Sequence, residues 1–132
     1  MIRLFTIAAL FALILNSAFA AEDTGDYRPD TFAIAAEGTE LASPISKLSG
    51  VSPYFHLYDI NGKLIEVLPN PHLDLEYGIG PAAATTLADK GATVLVGGMI
   101  GPKMEDALNA RSVRFVRRSG TVNDVVTELK SE

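Results

Sequence analysis

The tripeptide Ile-Gly-Pro occurs twice, at Ile79-Gly80-Pro81 and Ile100-Gly101-Pro102, and each copy opens onto helix-forming residues followed by an apolar run. Two helix–strand units in succession restrict the fold more than any other feature of the chain. A strand, crossover helix and second strand in one sheet connect right-handedly and leave the two strands parallel. The loops leaving consecutive parallel strands then open on one edge, where open α/β sheets bind ligands. The spacing predicts helices over 81–90, stopped by Gly91, and 102–110, with strands over 92–97 and 112–117. A last helix starts at Thr121, whose hydroxyl can cap it while Asp124 sits three residues on; Val122, Val125, Val126 and Leu129 share one face. The two units also match beyond the tripeptide. Leu87 and Leu108 lie six residues past their prolines, and Val94 and Phe115 thirteen past, a period of 21.

Upstream the pattern is β. Residues 31–37 are a short apolar strand ended by Gly38, and residues 54–60 and 63–68 flank Asn61-Gly62, a strong hairpin signal. Two long loops, 39–53 and 69–80, exceed ordinary connections and leave by the edge that carries the glycine–proline starts. The fold class is therefore α/β, with one domain over 31–131 behind a loose acidic leader, 21–30.

The first twenty residues read as an address. Met1-Ile2-Arg3 precedes an apolar run from Leu4 to Leu15, and the small-residue pattern Ala18-Phe19-Ala20 leads into polar residues. This is a signal peptide cut after Ala20, with an uncleaved anchor as the alternative. The protein is then periplasmic or secreted, with no stable membrane span after cleavage. Losing Arg3 takes the net charge from −5 to −6, which argues against a nucleic-acid partner. Cysteine is absent, so thiolate-held iron–sulfur clusters are excluded and any metal must be met by histidine, methionine, carboxylate or backbone.

Glycine before a helix lets the backbone approach a guest, and first-turn amides without intrahelical partners make an anion seat at the positive dipole end. The second helix carries Glu105 and Asp106 early, whereas the first begins Pro81-Ala82-Ala83-Ala84 with nothing acidic. An anionic ligand is therefore expected on Gly78, Ile79, Gly80 and Ala82, with Gly98, Gly101 and Lys103 of the second start completing the site. His72, in the second long loop, is expected to face this place as a metal ligand or anion partner. Both Ile-Gly-Pro segments could equally be good helix starts and nothing more; neither is a P-loop or dinucleotide fingerprint. His56 reads as structural, Met99 and Met104 as core or soft ligands, Asp74 and Glu76 as hydrated, and Arg114, Arg117 and Arg118 as a solvated face. Glu37 and Asp59 are too few for a two-metal nuclease and no nucleophile elbow appears, so no enzymatic role is expected.

Ser43-Pro44-Ile45-Ser46 before Tyr54-Phe55, then Asn70-Pro71-His72, Gly78-Ile79-Gly80-Pro81, Gly97-Gly98-Met99-Ile100-Gly101-Pro102, Glu105-Asp106-Ala107-Leu108 and Ser119-Gly120-Thr121-Val122 occur in an order and spacing with a parallel. Together they resemble the dinitrogenase iron–molybdenum cofactor-binding (NifX/NafY-like) domain, from about Thr31 to Leu129. The resemblance implies a ribonuclease-H-like five-stranded mixed sheet of order 3-2-1-4-5 with three helices. It also implies a non-catalytic role in carrying or inserting an iron–molybdenum or iron–sulfur type cluster. Two departures stand out. Family members usually carry an Arg-Phe-Gly-Arg-like segment where this chain has Leu48-Ser49-Gly50-Val51 beside Lys47, and nitrogenase is assembled in the cytoplasm whereas this chain begins like an exported one. The ligand expected is thus a small anionic or metallocluster species. A protein-interaction module using the 39–53 loop, with a vestigial ligand site, is the alternative.

Overall fold

A computed structural model describes residues 29–131; the expected signal peptide and nearly all of the expected leader lie outside them. Five strands, β1 (Thr31–Ala36), β2 (Tyr54–Asp59), β3 (Leu64–Pro69), β4 (Val94–Gly97) and β5 (Arg114–Arg117), form one sheet in the order β3-β2-β1-β4-β5. β1 pairs antiparallel with β2 and β2 with β3, while β1–β4 and β4–β5 are parallel. Three α-helices complete the fold: α1 (Ile79–Asp89), α2 (Pro102–Ala110) and α3 (Val122–Lys130). The mixed sheet is the one expected, because the hairpin and the two crossovers leave little other choice of pairing.

Asp59 makes the hairpin work. Its Oδ1 accepts the N–H of Asn61 and of Lys63, both at 2.9 Å, and Gly62 takes the positive φ of 79° that the reversal needs. α3 is closed at its start by a reciprocal capping box between Thr121 and Asp124.

The strands alternate between two cores. Ala33, Ala35, Phe55, Leu57 and Leu95 face α1 and α2, meeting Ala84, Leu87 and Leu108. Phe32, Ile34, Val94, Val96 and Val116 face α3, meeting Val122, Val125 and Leu129. The period of 21 holds through the helices, since Leu87 and Leu108 enter the same core, but not into the strands. Val94 faces α3, whereas Phe115 packs on the α1/α2 side.

The two long loops and the short 98–101 connection all leave by one edge, at the carboxyl ends of β1, β3 and β4. The 39–53 loop is stitched across it. Ser46 donates its N–H to Ala35 O, Gly98 N–H reaches Ser46 O, and Ser49 N–H reaches Met99 O. Ser52 Oγ lies 2.7 Å from Ser46 Oγ and bonds to Ala36 O and Tyr54 O, while Asn70 Nδ2 donates to Gly50 O and Ser52 O. A serine-rich stretch can be buried here because nearly every polar atom is answered.

One is not. Ser49 Oγ is buried and finds no hydrogen-bond partner among the described residues, and it occupies the space a Cβ would need at Gly97. Gly97→Ala should therefore cost about 1–3 kcal/mol through overpacking. Ser49→Ala alone should raise stability by up to about 1 kcal/mol by deleting the unanswered hydroxyl, and the double variant should recover part of the loss; urea unfolding of the three proteins checks the set. A second expectation concerns alkaline pH. Burial raises the Tyr58 phenol above its ordinary 10.0. The folded chain holds that proton more tightly than the unfolded chain, so this stability is intact below pH 10.0 and is lost as pH climbs through the higher folded value. Tyr58→Phe should flatten that alkaline limb of the stability curve.

Candidate functional site

The starts of α1 and α2 meet the 39–53 loop in one place. A Cβ built on Gly50 would lie 2.9 Å from the Gly80 Cα, and one built on Gly80 would lie 3.1 Å from the Met104 Cβ. Three backbone segments thus touch through glycine, which alone permits the approach. Beside this contact opens a hollow of about 420 Å³, within the size range of small-ligand sites. Its backbone lining includes Gly50, Gly80 and Gly101; Leu48, Val51, Met99 and Met104, with Pro81 and Pro102, give it apolar walls. Exposed Lys103 is its one charged lining residue.

The two helix starts are built differently. α2 starts as expected, with Gly101 as an extended N-cap and Pro102 in the first turn. α1 begins two residues earlier than the sequence pattern suggests. Gly78 enters the left-handed region at φ 77° and serves as N-cap, so Ile79 and Gly80 are already helical and Pro81 falls inside the first turn. Proline is tolerated there because that amide has no intrahelical acceptor in any case. Neither start has a side-chain cap, and only α2 carries an early acid, Glu105. The first intrahelical bonds are Ala82 N–H to Gly78 O and Glu105 N–H to Gly101 O. The amides of Ile79 and Gly80 in α1, and of Lys103 and Met104 in α2, precede them and have no partner within their helices.

Of the expected site residues, Gly80, Gly101 and Lys103 come together at the hollow. Ile79 lies one residue outside its lining. Ala82 is corrected: its amide is bonded to Gly78 O at 3.0 Å and is spent on the helix. Gly78 acts as the cap that turns the chain rather than as a wall. Gly98 lies under the 39–53 loop, where a Cβ would strike Lys47 O at 2.5 Å, and it borders a different cavity.

His72 does not face the helix starts. Its N–H donates to Asn70 Oδ1 at 3.1 Å, and its Nε2 lies 2.7 Å from Thr86 Oγ1, on the flank of α1 away from the hollow's lining. The loop fold set by Asn70 turns the ring onto the helix side, a contact that no spacing rule in the sequence shows. Among the described residues no group of three or more histidines, cysteines or acids is placed to hold a metal ion. Asp74 and Glu76 are exposed. His56 is buried with Nε2 2.7 Å from Gly38 O, a structural residue as its strand position suggests.

Sequence reasoning overlooked Gly50, Leu48 and Val51 as lining, and it left Met99 and Met104 between core and ligand. A glycine flanked by Ser49 and an exposed Val51 in an unusually long loop was the available signal. The site is a cradle of amides, apolar surface and two thioethers with one cation. It suits an anionic guest that brings its own ligand shell better than a bare ion.

Residues 31–132 match the family described as dinitrogenase iron-molybdenum cofactor. Among solved structures, the chain is similar to the apo form of the orange protein from Desulfovibrio gigas. The two share 29% identity over 79% of this chain and 89% of that one, with a TM-score of 0.72. It is also similar to a Thermotoga protein provisionally described as a NifB protein, at 28% identity over 77% and 88% of the two chains and a TM-score of 0.66. No curated protein matches.

If His72 serves α1 rather than the guest, His72→Ala should leave ligand affinity within about twofold while costing roughly 1 kcal/mol of stability for the lost hydrogen bond. Parallel ligand titration and urea unfolding of the variant would separate the two roles.

Proposed function

Because this chain belongs to the dinitrogenase iron-molybdenum cofactor family, we propose that it is a non-catalytic carrier whose cargo is an anionic metallocluster of the iron–molybdenum type, seated in the hollow between the starts of α1 and α2. The observation that carries this reading is that two uncapped helix starts and the Gly50 turn share one apolar-walled space. The Lys103 and Met104 amides and the Lys103 ammonium would meet the negative periphery of the cargo. Leu48, Val51, Met99 and Ile100 would exclude water, which strengthens each of those interactions. The Met99 and Met104 thioethers offer soft contacts to sulfide or metal without displacing the ligands the cargo carries. A carrier benefits from such an outer-sphere hold, since cargo bound without strong protein ligation can be released.

Two finer parts of the reading concern place and partner. With the signal sequence cut after Ala20, the carrier works in the periplasm or outside the cell; N-terminal sequencing of protein recovered from that compartment tests it, and an intact Met1 terminus in the cytoplasm would refute it. The partner surface is the 39–53 loop, whose backbone is pinned while Leu48 and Val51 remain 56% and 46% exposed beside the hollow. A receiving protein docked there would cover the mouth of the site.

Gly101 supplies the sharpest test of the cargo site. It lines the hollow, its φ of −84° suits any residue, and a Cβ there meets nothing within 4 Å. Gly101→Phe should therefore fill the space without strain, abolishing uptake of extracted iron–molybdenum cofactor or tetrathiomolybdate while the unfolding midpoint stays close to that of the parent. Lys103→Glu should weaken uptake by roughly tenfold, the scale of a lost and reversed charge contact. Uptake unchanged in Gly101→Phe, or none by the parent protein, would reject the assignment.

A further inference from the structure

The chain is acidic as a whole, yet Arg111, Arg114, Arg117 and Arg118 fall within eight residues around β5, an edge strand of the sheet. Two of them are occupied. Arg111 bridges to Asp89 at 2.8 Å, and Arg118 bridges to the buried Glu128 at 3.3 Å while its Nη1 donates to Arg117 O. Arg114 and Arg117 are exposed and make no ion pair among the described residues.

The backbone between them is unpaired on its outer side. Arg114 N–H bonds to Thr93 O and Arg118 N–H to Gly97 O, so the even-numbered amides of this strand point at β4. The alternation of a strand then turns the Phe115 N–H and C=O and the Arg117 N–H outward. Alongside runs a groove of about 620 Å³ between β5 and α2. Half-buried Phe115 and buried Leu108 give it an apolar surface, and Asn109, Glu105 and Arg117 give it polar ones.

The opposite edge of the sheet is guarded differently. β3 carries a register shift against Leu57 and Tyr58, and its Glu66 is engaged by Lys90. Bulges and paired charges blunt an edge. β5 is regular, and its two free cations select rather than simply block. They repel the same edge of a second copy and attract a strand of opposite sign.

We propose that β5 is a strand-addition site that accepts an extended acidic segment of a partner protein. Main-chain hydrogen bonds to Phe115 and Arg117 hold the segment in register, carboxylates of the guest pair with Arg114 and Arg117, and an apolar side chain of the guest rests on Phe115 in the groove. This surface lies on the other side of Met99 and Ile100 from the hollow, and the proposal does not rest on that hollow being a cargo site.

A fluorescein-labelled hexapeptide Val-Glu-Val-Val-Glu-Val, whose glutamates are three apart and so fall on opposite faces of the added strand as Arg114 and Arg117 do, titrated into the full chain and followed by anisotropy and by amide hydrogen exchange, tests the idea. Saturable binding with new protection at the Phe115 and Arg117 amides is expected. Arg114→Glu/Arg117→Glu, two exposed positions whose change should leave the fold intact by circular dichroism, should weaken binding by roughly tenfold or more, the loss of two ion pairs. A peptide of the same charge N-methylated at alternate residues should not bind, because it cannot complete the ladder. Equal affinity for the methylated or a lysine–valine peptide, tighter binding of a single-stranded oligonucleotide, or no saturable binding would overturn the proposal.

Discussion

The contact on which the rest of the molecule's working edge depends is that of Gly50 with Gly80 and of Gly80 with Met104. No side chain could stand between these backbones, since a single Cβ at Gly50 would already sit 2.9 Å from the next Cα. Because they touch, a loop of fifteen residues becomes a fixed wall instead of an open excursion. The hydrogen bonds of Ser46, Ser52 and Asn70 then have fixed partners, and the starts of α1 and α2 are held side by side. Small residues here do what a disulfide or metal clip does in other small domains, through proximity rather than covalency.

The hairpin, the parallel crossovers and the edge carrying the loops could be inferred from residues alone, whereas the strand order came from the family resemblance. Asn61-Gly62 specified the hairpin, and two helix–strand units in succession specified parallel crossovers, both being local chemistry with few geometric solutions. Thr121 and Asp124 announced α3 for the same reason. The hollow's lining was legible at Gly80 and Gly101, whose role is backbone geometry, and at Lys103 beside the second of them. Side-chain direction was not legible. His72 looked available because its loop opens on the right edge, but Asn70 orients the turn and Thr86 takes the ring, a contact fourteen residues away in sequence. Ala82 reads as free if Pro81 opens the helix, but Gly78 in the left-handed region sets that start back by about half a turn.

The composition of the hollow bears on what the fold has become in this chain. Leu48 and Val51 stand exposed in the first long loop, so the positive potential at the hollow comes from helix termini and Lys103. Fixed dipoles reach only about one helical turn and are weaker than formal charges. If the hollow holds a guest as proposed, its selection would rest more on shape and softness than on charge, with Met99 and Met104 lining the space.

Met99 and Ile100 line both the cargo hollow and the groove beside β5, so a two-residue partition separates the two cavities. Volume gained on one side of a shared wall is taken from the other. Any guest that shifts this partition alters the fit of whatever occupies the opposite chamber, and thermodynamic reciprocity makes the influence equal in both directions. If both proposed guests bind, a peptide laid along the sheet margin would act as a release signal or a lock for the cargo, according to which way the methionine moves.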